Sequence, residues 1–242
     1  MSARIIHVLC EGLTEQGFVE GVLKPYLMSN GIDAVKSVLL TTNKKLNAGG
    51  GMLSYVQAKR DLELIEKTSV DGEYEKHILT TMFDLYALPG DFPGYADAMK
   101  LSDRYARVKS LERAFASDIN DMRFVPYIQL HEFESLVFCG IDHLKKMYPD
   151  CDKGCKILSN TLERQSNPEL INDGLETAPS KRLIKAIEEE SDTHYNYNKP
   201  KTGRYITEQV GIDTLRSRCL HFDEWIGRLL EYSNKQIGID AN

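Results

Sequence analysis

Three apolar, partly β-branched runs each close on a carboxylate, and this repetition constrains the fold more than any other feature of the chain. Ile5 to Cys10 leads into Glu11 and breaks at Gly12; Ile78 to Phe83 leads into Asp84 and breaks at Pro89 and Gly90; Phe124 to Leu130 leads into Glu132 and Glu134. Such runs suit buried strands. After Gly12, apolar residues recur at Phe18, Val19, Val22, Leu23, Tyr26 and Leu27, the spacing of a helix that Pro25 is expected to kink or shorten. A strand that hands over to a helix at a glycine turn delivers its last residues to the carboxyl edge of an open α/β sheet, where sites are built.

The rest of the chain continues the alternation. Ala34 to Leu40 reads as a strand, and Met52, Tyr55, Ala58, Leu62 and Ile65 mark one face of a helix. Between them lies a loop ending in Gly49, Gly50 and Gly51, without the lysine and serine or threonine of a P-loop. Pro89 to Tyr95 is a stiff loop, and a further helix carries Tyr105, Val108, Leu111 and Phe115, with Ser102 as its expected cap. The order predicts a mainly parallel sheet flanked by helices over residues 1–150. Residues 151–242 read as a helical C-terminal extension packed on that domain: Asn167-Pro168 and Ser180 are expected helix starts, Gly211 joins two helices, and His221 to Leu230 forms a last one.

Composition narrows the class. A chain of 242 residues can bury a full core, and its mixed charges are those of a globular protein. No segment approaches the roughly eighteen apolar residues of a membrane span. The N-terminus lacks the pattern of a signal peptide, and five irregularly spaced cysteines suit reduced thiols, so a cytoplasmic protein is expected. A net charge of −6 argues against a protein that coats nucleic acid, while leaving room for a local basic groove.

Carboxylates gathered at one sheet edge raise each other's pKa unless a cation lies between them, and hard oxygen ligands select Mg²⁺ or Mn²⁺. Phosphodiester cleavage needs an activated water and neutralised phosphate charge, which such ions supply. Glu11, Asp84 and Glu132 or Glu134 are therefore the candidate catalytic and metal-binding residues. In an extended segment Glu132 and Glu134 project together; in a helical one only one of them reaches the ion.

At these residues the chain resembles a known group. Glu11-Gly12-Leu13-Thr14-Glu15 is similar to the first motif of Toprim-like domains, particularly OLD-type nucleases. Asp84-Leu85-Tyr86-Ala87-Leu88-Pro89 and His131-Glu132-Phe133-Glu134 resemble further motifs of a bacterial family of unknown function in that superfamily. Ala178 to Leu183 and Ile212 to Trp225 resemble its C-terminal signature. The resemblance implies a Toprim-like fold and a Mg²⁺-dependent nuclease acting on DNA, tRNA or other RNA. Glu11 would be general acid/base and ligand, Asp84 a further metal ligand, and Asp91 or Glu132/Glu134 would complete the site. It also implies an ABC/AAA-type ATPase partner in anti-phage defence. Tyr86 stands where active members carry a second aspartate, so a catalytically inactive protein that binds the ATPase or a nucleic acid is the alternative. A homo-oligomer is left open.

Other constellations carry less. His131-Glu132 lacks the second histidine of a zinc peptidase, and Cys151, Cys155, Cys219 and His221 fit no common zinc spacing. Lys181, Arg182, Lys199, Lys201 and Arg204, interleaved with Tyr195 and Tyr197, form the best nucleic-acid-binding patch, although Glu188 to Glu190 lie close by.

Overall fold

The computed structural model describes residues 2–41, 52–172, 174–193 and 195–235. Gly49 to Gly51 lie outside the described residues. Four parallel ladders make one sheet: β1 (Ala3–Cys10) lies between β2 (Ala34–Leu39) and β3 (Glu75–Asp84), and β4 (Phe124–Val125) and β5 (Ile128–Gln129) both pair with β3.

The third acid-terminated run is thus not one strand. Pro126 has no N–H to give the ladder. Thr81 bridges the gap instead: its Oγ1 donates to Tyr127 O at 3.0 Å and accepts from Tyr127 N at 3.1 Å. Leu79 pairs with Phe124 and Phe83 with Ile128, so the register is unbroken on either side.

Helices cover both faces. After β1 come α1 (Leu13–Phe18), a π-helical turn Val19–Leu23 and α2 (Lys24–Ser29), with Pro25 in the first turn of α2. Proline withholds the amide that would close an α-helical bond there, and the widened turn absorbs the loss while the helix runs on. Next are α3 (Tyr55–Thr68), α4 (Tyr95–Ala98) and α5 (Arg104–Ile119), the last capped by Asp103 rather than Ser102. The Asp103 carboxylate accepts from Ala106 N at 2.6 Å, which a hydroxyl one residue earlier does not. α6 (Glu134–Val137), α7 (Leu144–Met147) and α8 (Asp152–Arg164) lead to α9 (Pro179–Ile184), α10 (Lys199–Val210), α11 (Ile212–Arg218) and α12 (Leu220–Lys235).

Alternation along β1 divides the core. Ile6, Val8 and Cys10 face α1, α2 and the C-terminal helices, whereas Leu9 with Leu79 and Phe83 faces α3 and α5. The C-terminal helices therefore share one apolar core with the first strands, from Ile6 through Trp225 to Leu229. The connections leaving β1 and β3, adjacent strands, go to opposite faces. This is the topological switch point, where the carboxyl ends of an α/β sheet open a crevice.

Candidate active site

The crevice is lined with acids. Glu11 follows β1, and its N–H donates to Met82 O of β3 at 3.2 Å. Its Oε2 accepts from Asp84 N at 3.0 Å, so the two acids meet at one sheet edge. Asp84 Oδ1 in turn accepts from Phe133 N at 2.9 Å. The chain reaches Phe133 through His131, a non-glycine residue at φ 64, whose carbonyl accepts from Tyr86 N at 3.0 Å. Left-handed backbone at such a residue is strained and persists only where its surroundings enforce it. The turn brings Glu132 and Glu134 to Asp84.

Those two glutamates then part. Both oxygens of Glu132 accept from Ser180, one from its N–H and one from its hydroxyl at 2.9 Å. Ser180 is consequently not the cap of α9; Ala178 and Pro179 begin that helix, and Ser180 fastens it to Glu132. Glu134 opens α6 fully buried, and its Oε1 receives no aligned hydrogen bond, with Lys199 Nζ 3.2 Å away. Lys199 Nζ also lies 3.9 Å from Glu132 Oε2. A fifth acid, Glu15, sits in the first turn of α1 and accepts from Gly12 N at 2.9 Å. Glu15 was not among the site residues expected from sequence. The signal was its position three residues after Gly12, from which a glutamate in the first helical turn reaches back to the amide beside Glu11.

Crowding shows in the proton affinities. Burial pushes Glu11 up to about 7, against the Asp84 N–H bond that lowers it, and Glu15 adds to the rise. Burial likewise raises Glu134 to about 7, with Lys199 opposing. Asp84 is raised well above the ordinary range by burial and by Glu15, Glu11, Glu134 and Glu132. Glu15 is raised by burial. For Lys199, burial opposes the charge, but Glu134 and Glu132 outweigh it and its pKa rises. One ammonium thus faces five carboxylates.

In donor chemistry the set suits a hard divalent cation: every group is an oxygen acid, and Glu134 Oε1 is buried without a hydrogen bond. It is not a finished ligand shell. Among the described residues no group of three or more His, Cys, Asp or Glu side chains is placed to hold a metal ion. An ion bound there would compete with Lys199 for the same oxygens.

Other predicted residues fall elsewhere. Asp91 caps α3, accepting from Ser54 Oγ at 2.6 Å and Tyr55 N at 3.0 Å, and is not brought to the acids. Tyr86 packs on His131 with ring centroids 5.2 Å apart. The basic patch divides: Lys199 joins the acids, Lys201 and Arg204 line an open groove of about 740 Å³ with Lys146, Tyr205 and Leu13, and Lys181 and Arg182 belong to α9. Leu13 and Pro200 place that groove beside the acidic crevice. The thiols lie in two pairs, Cys151–Cys155 with sulfurs 2.9 Å apart and Cys139–Cys219 at 3.6 Å. His221 is engaged with Glu112 at 2.9 Å.

Fold and site together define an α/β protein with a mainly parallel sheet flanked by helices, a helical C-terminal region and a carboxylate cluster at the switch point. Residues 10–230 match the model of a domain family described as a domain of unknown function, DUF4276, and the chain belongs to that family. Comparison with curated proteins and with solved structures gives no match.

Proposed function

We propose that the protein is a Toprim-like, Mg²⁺- or Mn²⁺-dependent hydrolase of phosphodiester bonds in DNA or RNA. The observation that carries the reading is the joining of Glu11 and Asp84 at adjacent strand ends, with Glu15 and Glu134 beside them and two of these acids held near pKa 7. Glu11, Asp84 and Glu134 would hold the ion, which would supply neutralising charge at the phosphate and activate a water. Glu11 would take a proton from the attacking water and return it to the leaving oxygen. Glu132, committed to Ser180, positions α9. Lys199, once it leaves Glu134, offers its charge to the phosphate oxygens.

The nuclease assignment, an ATPase partner of the ABC/AAA type and a role as effector of anti-phage defence draw on the resemblance of the Glu11–Glu15 and Asp84–Pro89 motifs. Five buried free thiols suit a reducing, cytoplasmic setting. One observation favours the inactive interaction protein instead: Lys199 already supplies a cation to Glu134 and Glu132. Titration with Mn²⁺ and cleavage of labelled DNA and RNA decide between them. The enzyme reading expects saturable binding that Glu11→Gln and Asp84→Asn each weaken, with cleavage lost in both. No Mn²⁺ binding and no cleavage by the wild-type protein leaves the interaction role.

A further inference from the structure

A second polar cavity, of about 370 Å³, opens where α5, the end of α8 and the start of α9 meet. Three arginines from these three helices line it, Arg104, Arg164 and Arg182, together with Thr161, Gln165 and Asn172. Among the described residues lining it none is acidic. Arg104 is held by neutral acceptors, Nη1 by Leu170 O at 2.6 Å and Nη2 by Asn172 O at 2.8 Å. Those contacts orient its guanidinium without cancelling its charge. Arg164 is exposed at the end of α8, and Arg182 Nε donates to Thr177 O at 2.7 Å.

The cavity adjoins the acidic crevice. Asn172 Nδ2 lies 3.5 Å from Nδ1 of His131, the strained residue next to Glu132. Ser180, which fastens Glu132, stands two residues before Arg182 on the same helix. Burial, with Arg104 and Arg107, lowers His131 to about 4, so the ring is neutral at physiological pH. Its Nε2 is buried without a hydrogen-bond partner.

We propose that this cavity binds a phosphate monoester, the terminal phosphate of a nucleic-acid strand whose neighbouring phosphodiester lies at the carboxylates. Planar guanidinium groups recognise phosphate through paired N–H bonds, and a dianion suits several of them better than the single charge of an internal phosphodiester. The hydroxyl and amide groups of Thr161, Gln165 and Asn172 supply neutral hydrogen bonds. The pocket stands on its own geometry; the strand as the source of the phosphate rests on the nuclease reading.

The test measures binding of short oligonucleotides bearing a 5′-phosphate, a 3′-phosphate or hydroxyl ends, and of AMP, by fluorescence anisotropy and calorimetry in EDTA. Wild-type protein is expected to prefer one phosphorylated end over the hydroxyl strand by about tenfold, the effect of one charge-assisted hydrogen bond. Arg164→Ala, at an exposed position, should abolish that preference, and Arg104→Lys should reduce it while keeping the charge. Glu11→Gln should retain it. No preference in the wild type, or a preference that survives both arginine variants, overturns the site. AMP binding as tightly as the phosphorylated strand keeps the pocket and overturns the strand as its source. Cleavage without end preference sinks only this inference. End preference without cleavage in Mg²⁺ or Mn²⁺ sinks only the nuclease reading.

Discussion

Burial of Glu11 beside Glu15 and Asp84 makes a bound proton part of the folded state. Its pKa rises from the ordinary carboxyl value of 4.5 to about 7, so between those values the native chain holds protons that the unfolded chain has released. Stability in the absence of metal is then full below the unfolded pKa and falls as pH rises through the folded one. His7 acts oppositely: burial, with His77 adding, lowers it from 6.5 to about 4, so it costs stability as pH falls through that window. The diagnostic quantity is therefore the difference between wild type and Glu11→Gln. In EDTA the variant should melt higher than wild type above about pH 7, each 1 kcal/mol of relief raising Tm by about 2–4 °C, and the gap should close toward acid pH. A pH-independent gap would mean that Glu11 is already ionised in the native state. Lys199 gives a second expectation. Lys199→Met removes the ammonium that, on the proposed metal-dependent reading, would contend with an ion for Glu134, so Mn²⁺ affinity, read by electron paramagnetic resonance of free ion, should rise. Unchanged affinity would show that the lysine and the ion do not share oxygens. Glu11, Asp84 and Glu134 were legible from sequence because each ends a strand-like run or follows one closely. Glu15 was not, because it does serve as an ordinary capping residue on Gly12 N, and only the fold shows that this bond holds its carboxylate among the other acids. Asp91 misled for a similar reason: a loop acid beside the motif serves as a cap for a distant helix.

At the scale of elements, the site depends on how closely α10 approaches α1. Gly203 of α10 makes this approach, since a Cβ there would stand 2.6 Å from Cε1 of Phe133 and 3.2 Å from Cγ2 of Thr14. Phe133 is buried edge-on against Phe18 and has little room to give. Gly203→Ala should therefore cost about 1–3 kcal/mol by overpacking. It should also alter Mn²⁺ affinity, because Lys199 rides on the same helix. Gly227 of α12 is the control, since a Cβ there would meet nothing within 4 Å: Gly227→Ala should gain up to about 1 kcal/mol from helix propensity. Thermal melts of the two variants check this, and equal shifts would show that α10 and α1 do not need a glycine between them. The first two acid-terminated strands and the amphipathic α3 and α5 follow from periodicity alone. The third strand could not be read to its end, because a proline interrupts it and a threonine from the neighbouring strand supplies the missing bonds. Side-chain substitution for a ladder bond leaves no periodic trace.

For the whole molecule, the proposed nuclease role requires a chain of net charge −6 to attract a polyanion to a cluster of carboxylates. The basic residues that sit close together in sequence do not act as one patch, since the chain carries Lys181, Lys199 and Lys201 to different sides of α9 and α10. What the fold assembles instead is the groove of Lys146, Lys201 and Arg204, drawn from α7 and α10 and opening beside Leu13 at the mouth of the crevice. Glu208 on its wall moderates the field without cancelling it. Lys201 and Arg204 are exposed, so replacing them with Lys146 by alanine should leave Tm nearly unchanged. Nucleic-acid binding measured in EDTA over a range of salt should weaken. The slope of log affinity against log salt should shrink by about 0.7–0.9 for each phosphate that is no longer neutralised, hence by roughly two units if the three cations meet two or three phosphates. The proportionality matters more than the loss. A weaker affinity with an unchanged slope would mean that the groove contributes shape rather than charge, and an unchanged affinity at every salt concentration would leave it as ordinary surface. The path of a strand would then have to be sought along Arg104 and Arg107, whose charges already reach His131.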